Sequence, residues 1–294
     1  MNRSRVIDLL DDWVAATAPD DGVEWLREKH TQIADGAADY VFYTSFSAVP
    51  RHTGKADLDL SDANQEAADT ARSGWRPGGW SVDQAGRARL VLSLPAEDRD
   101  DYLATLERVF THADMGESVA LYQTLPLLPY PEAHRARAAE GLRTNITAVF
   151  NAIALHNPYP AEQFDEGAWN QMVLKAVFVG SSLHVIQGID ERANAKLARM
   201  LVDYAHERWA AGRSVTPDLW RPVGPFAEGA MLDDLARVLT DGTPTERQAA
   251  ALALSDSPAD RTDELLTTHP DLHDAVQSGA LTWDALARED ANAA

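Results

Sequence analysis

The chain has 294 residues, is 45% hydrophobic, and carries 46 Asp and Glu against 26 Lys and Arg, for a formal net charge of -20. That length and apolar content suffice for one elongated helical domain or two ordinary ones, each with a core. The acidic field repels phosphate backbones and anionic lipid heads, which excludes nucleic-acid and membrane-surface binding as leading functions. With no cysteine, disulfides, thiolate nucleophiles and Cys-based metal centres are excluded together.

The N-terminal run places Ile7, Leu10 and Val14 at helical spacing, and Asp8, Asp11 and Asp12 interrupt it. This predicts an amphipathic helix over 5–16 rather than a signal peptide, and hence a cytoplasmic protein. Further helices are predicted over 23–34 and between Gly36 and Pro50. Arg51, His52 and Lys55 then form a basic knot in a Gly-containing loop, where they bind an anion or pair with Asp57, Asp59 and Asp62. Ser61 is the expected N-cap of a helix reaching Ser73. The segment Gly74-Trp75-Arg76-Pro77-Gly78-Gly79-Trp80 reads as a turn with two aromatic anchors. Helices over 81–93, 99–112 and 117–125 follow. Sustained period-two alternation is lacking, so the fold class is all-α, a multi-helix array without a sheet.

After Pro129 and Pro131 the pattern predicts one long helix over 132–156, with Leu142, Ile146, Val149, Phe150 and Ile153 as its apolar stripe. On the helical wheel Asn145 and His156 share one flank of the stripe, Arg143 lies on the other, and Asn157 is close to the stripe itself. From Thr144 to Ile189 only Glu162, Asp165, Glu166 and Lys175 are charged. Withholding charge for so long predicts that this stretch is the core. The polar residues in it, Asn145, Asn151, His156, Asn157, Asn170 and Lys175, then need partners, and a site is expected to touch them.

His156 reads either as a histidine held by a backbone carbonyl or as a ligand or proton-transfer group. Lys175, on a predicted helix over 166–180, is a snorkelling or carboxylate-paired lysine or, if desolvated, a base or imine-forming amine. The next amphipathic helix, within 190–212, points Arg208 into its apolar face, where it needs a partner or a polar cavity, or else the helix end is exposed and Arg208 snorkels past it to water. Asp203, His206 and Glu207 have ligand spacing but face the wet side, so no metal and no cofactor is expected. The candidate ligand-binding set is therefore Arg143, Asn145, His156, Asn157, Asn170, Lys175 and Arg208. Of these, Arg143, Asn145, His156 and Arg208 are expected in one polar cluster, and no catalytic residue is assigned.

Residues 217–226, rich in proline, read as a connector that ends a main helical domain of residues 1–226. Short helices over 229–239, 245–254, 260–268, 271–278 and 282–289 make a C-terminal region of residues 227–294, like the paired helices of an α-solenoid but without a strict period. The longest charge-free runs are too broken to span a membrane.

The segments PYPEAHRARAAEGLRTN, NPYP, AWNQMVLKAVF, AHERWAAGR and PDLWRPVGPF together resemble the EboA family of metabolite-traffic proteins, over most of residues 114–226. The resemblance implies an accessory protein from a gene cluster that handles a secondary metabolite, beside a prenyltransferase-like membrane protein and several enzyme-like proteins. It carries over no catalytic residues. The resulting expectation is a non-catalytic binding or scaffold protein in secondary-metabolite processing or traffic. Its expected partners are a small-molecule metabolite and other proteins of the same pathway. The alternative is an enzyme using Lys175 or His156 on a small metabolite.

Overall fold

A computed structural model describes residues 1–293, with side chains through Glu289. The chain is an all-α array, and the described residues hold no strand, only an isolated bridge between Asp57 and Ser81. Its contacts divide it into two compact units, Met1–Phe164 and Asp165–Ala294.

The first unit comprises α1 (Arg3–Thr17), α2 (Asp20–Ala34), α3 (Asp39–Thr53), α4 (Asp62–Ala71), α5 (Val82–Val91), α6 (Arg99–His112), α7 (Met115–Thr124), α8 (Arg135–Gly141), α9 (Thr147–Ala154) and α10 (Tyr159–Gln163). Several starts follow from side-chain caps that satisfy otherwise unpaired N–H groups. Asn2 accepts from the Arg5 N–H, Ser61 from that of Asn64, and Asp114 with Glu117 forms a capping box.

The helix at the centre of this unit is α5, packed by α1, α2, α3 and α7. Its charged residues are buried with the rest: Asp83 is 6% exposed, Arg87 4% and Arg89 7%. Each has its partners. Arg87 Nη1 donates to Asp83 Oδ2 at 2.5 Å, Ser81 Oγ donates to Asp83 Oδ1 at 2.6 Å, and Arg87 Nε donates to the Phe46 carbonyl at 3.2 Å. That carbonyl is available because Pro50, four residues on inside α3, has no N–H to give it. Arg89 donates to Asp11 Oδ1 at 2.8 Å and to Ser93 Oγ at 2.5 Å. Its Nη2 meets His30 Nδ1 at 3.1 Å.

Two sequence-based expectations need correction here. The third helix runs through Pro50 to Thr53, so Arg51 and His52 lie in its last turn rather than in a loop. There the His52 ring stacks on Trp25, centroids 3.9 Å apart. The single helix expected over 132–156 is broken between α8 and α9. Gly141 sits where a Cβ would fall 2.5 Å from the Tyr122 ring. Beyond it, Thr144 Oγ accepts from the Ile146 N–H at 3.1 Å, a local bond that replaces the helical one. Asn145, Ile146 and Ala148 are consequently exposed. Only part of the charge-poor stretch is therefore core, and it is shared between the units: Val149, Phe150 and Ile153 are buried in the first, Trp169, Met172 and Val173 in the second.

The second unit comprises α11 (Glu166–Val179), α12 (Ala195–Ala210), α13 (Ala230–Asp241), α14 (Pro244–Ser255), α15 (Thr262–Thr267), α16 (Pro270–Gln277) and α17 (Trp283–Ala293). Its centre is α14, whose residues Ala249 to Leu254 are all buried. The proline-rich segment packs on this helix: a Cβ at Gly224 would lie 2.7 Å from the Ala253 carbonyl oxygen. The boundary read at residue 226 thus falls inside the second unit. Among the described residues no helix is long and apolar enough to cross a membrane.

Candidate functional site

The first unit holds a cleft of about 200 Å³ between the Trp75–Trp80 turn, α7 and α9. A short 3-10 turn over Pro77–Gly79 folds the Gly- and Pro-rich segment back. This brings the Trp75 and Trp80 rings edge to face at 5.9 Å, with Trp13 against Trp75 at 5.3 Å. The turn is tied down where the Leu58 N–H donates to the Trp80 carbonyl at 3.0 Å. Val119 and Gln123 from α7 and Ala148 and Ala152 from α9 complete the walls. Arg76, also at the cleft, lies 3.7 Å from Asp69 Oδ1.

Asn157 fixes the far end. Its Nδ2 donates to the Ala152 carbonyl at 2.9 Å and to the Tyr122 carbonyl at 3.1 Å, and its Oδ1 accepts the Tyr159 N–H at 3.0 Å. One amide thereby ends α9, ties it to α7 and starts the next turn. His156 precedes it with φ 53, and its exposed side chain reaches the cleft lining. Burial raises the Tyr122 hydroxyl pKa to about 12, so Tyr122 stays neutral behind this wall.

Two polar atoms on cleft residues are sealed from water without a hydrogen-bond partner among the described residues, Trp75 Nε1 and Gln123 Oε1. An unmade bond of this kind typically costs about 1–3 kcal/mol. One atom is a donor and the other an acceptor.

Of the seven residues singled out from sequence, His156 and Asn157 meet at this cleft. Arg143 is a surface side chain paired with Glu140 Oε2 at 2.9 Å. Asn145 lies exposed in the turn before α9. Arg208, in the second unit near the end of α12, is half-buried and donates through Nε to the Ser214 carbonyl at 3.1 Å. Within the first unit, Arg143 pairs locally and Asn145 stands in a turn, so neither joins His156 at the cleft, and Arg208 belongs to the second unit. The helical wheel assumed a continuous α8–α9 helix, and the end of α12 lets Arg208 reach a local loop carbonyl instead.

Asn170 is 1% exposed and exchanges two amide hydrogen bonds with Asn194, at 2.8 and 3.1 Å. This pair anchors the N-cap of α12. Lys175 lies half-buried on α11. Among the described residues no group of three or more His, Asp or Glu is placed to hold a metal ion. Sequence reasoning missed Gln123 and the role of the two tryptophans in walling a cleft. The spacing of Trp75 and Trp80 about a Pro-Gly-Gly turn was the available signal.

No curated protein and no solved structure matches the chain. A family model described as metabolite traffic protein EboA matches residues 6–224. The match takes in the cleft and begins far ahead of residue 114, so the N-terminal third is part of the shared sequence, while the last seventy residues lie beyond it. Spanning more than half of the chain, it makes the protein a member of the EboA family.

Proposed function

We propose that the protein is a non-catalytic, cytoplasmic binder that holds a small metabolite in the Trp75–Trp80 cleft and passes it between proteins of a secondary-metabolite pathway. The observation that carries this reading is a cleft whose lining sets the rings of Trp75 and Trp80 and the side chains of Val119 and Ala152 beside the polar side chains of Gln123, Asn151 and His156. At about 200 Å³ the cavity is smaller than the roughly 300–1,000 Å³ of drug-sized sites, so it suits one ring or the end of a longer molecule. Traffic needs capture and release rather than turnover, and Asn157, the most buried polar side chain here, is bonded at both ends of its amide.

The test is retention from a metabolite extract of the source cells, read by mass spectrometry after the protein has been separated and denatured. The wild type is expected to retain a small molecule with its mass unchanged. Ala148→Trp, which places a large ring at an exposed position of the cleft mouth, is expected to retain none. Equal retention by both proteins, or none by the wild type, contradicts the proposal. A time-dependent change in mass that His156→Gln or Lys175→Met abolishes would turn the reading to an enzyme.

A further inference from the structure

A second cleft of the first unit, about 300 Å³, shares no lining residue with the first. Tyr43, Phe46 and Ser47 of α3 form one wall, and α6 with the start of α7 forms the other through Val109, His112, Ala113 and Glu117. Its surface is aromatic and aliphatic except for a few polar groups whose bonding can be followed one by one.

Glu117 is only 8% exposed. Its Oε2 accepts the Asp114 N–H at 3.0 Å in the capping box, in which Oε1 takes no part. His112 Nδ1 meets the Arg108 carbonyl at 2.8 Å. A carbonyl only accepts, so Nδ1 carries the proton, and Nε2 of the neutral ring is an acceptor. The guanidinium at the rim, Arg108, already pairs with Asp39 Oδ2 at 2.9 Å. The cation behind Phe46, Arg87, pairs with Asp83. Among the described residues, the charge of this cleft without an ion-pair partner is the Glu117 carboxylate, which lies in the first turn of α7 at the positive end of that helix dipole. The C-terminal end of α6, which supplies Val109 and His112 to the cleft, adds the negative end of a helix dipole. Aromatic faces at Tyr43 and Phe46 also favour a cation. The net charge of -20 raises the local concentration of cations around the whole molecule.

We infer that this cleft binds a small organic ammonium ion with an apolar body, its N–H groups directed to Glu117 Oε1 and His112 Nε2 and its hydrocarbon part laid between Tyr43, Phe46 and Val109. The site is independent of the Trp75–Trp80 cleft and of whatever that cleft carries.

Calorimetric titration with 2-phenylethylamine, and with its neutral counterpart 2-phenylethanol, tests the inference on the full chain. Glu117→Gln removes the charge while keeping a side chain that serves equally in a capping box, so helicity by circular dichroism is expected to be unchanged. Ser47→Trp fills the cleft from an exposed position on α3. The expected result is that the wild type prefers the amine. Glu117→Gln then loses about ten-fold or more in amine affinity, the size of a charge-assisted hydrogen bond, with the alcohol unaffected, and Ser47→Trp loses both. Equal binding of amine and alcohol by the wild type, an amine affinity unchanged in Glu117→Gln, or binding undiminished in Ser47→Trp overturns it. Weak binding of the amine that Glu117→Gln does not alter and that added salt removes would mark attraction to the acidic surface alone, and also overturns it. Should Glu117→Gln fail to fold, the amine–alcohol comparison and Ser47→Trp still decide the question.

Discussion

Helix α5 and the stretch from Thr144 to Ile189 invert what their compositions suggest. The first reads VDQAGRARLV and contains three charges, yet every one of Asp83, Arg87 and Arg89 is at most 7% exposed. The second is nearly free of charge, yet it leaves Ile146 45% and Phe178 73% exposed and shapes a cleft as well as a core. Burial here follows the availability of partners rather than the count of charges. Each α5 guanidinium finds a carboxylate on its own or a neighbouring helix, and Arg87 also finds the carbonyl that Pro50 released. Around α9 a break in the helix exposes positions that a continuous helix would have covered.

The largest break in this comparison comes from Arg87→Met. It strands the buried Asp83 carboxylate and leaves the Phe46 carbonyl unmet, so unfolding free energy should fall by roughly 3–5 kcal/mol in urea titrations. A pairing role predicts that adding Asp83→Leu recovers part of the loss, whereas a purely steric role predicts a further loss. Next comes Asn157→Ala, which removes the amide joining α9, α7 and the following turn. About 1–3 kcal/mol is expected, together with loss of metabolite retention, because the cleft wall then loosens.

The pH dependence sharpens the same contrast. Burial and then the Arg89 charge hold the His30 pKa below its ordinary 6.5, and burial likewise lowers that of His134. The unfolded chain therefore takes up these protons first, and stability should decline as pH falls from about 6.5 through the lower folded values. His30→Gln is expected to flatten part of that decline in midpoints measured across this range. The smallest effects belong to the arginines that the helical wheel had favoured. Arg143→Ala removes only a surface pair, and Arg208→Ala one bond to a loop carbonyl. Each should shift stability by about 1 kcal/mol or less, and neither should affect retention.

Much of the helix inventory was legible because caps and periodicity are local. Ser61 and the proline-rich segment over 217–226 mark boundaries in both sequence and structure. The site was legible only in part. His156 and Asn157 were found because polar residues among apolar ones need partners. Arg143 and Asn145 were misplaced because a wheel assumes that the helix continues, whereas Arg208, near the end of the continuous α12, reaches a loop carbonyl instead. The burial of α5 could not be read locally, since its justification lies in Asp11, His30 and the Phe46 carbonyl, brought together only by tertiary packing.

Buried at every position but Gln84, α5 is expected to be the most stable element of the first unit, and α9, exposed at Thr147 and Ala148, to open more readily. Native-state hydrogen exchange tests it directly by ranking the amides of the two helices in the ligand-free protein. Amides of Ala85 to Arg89 are expected to exchange only through global unfolding, and those of Phe150 to Ala154 through a smaller local opening. Protection of α9 equal to or greater than that of α5 would contradict it.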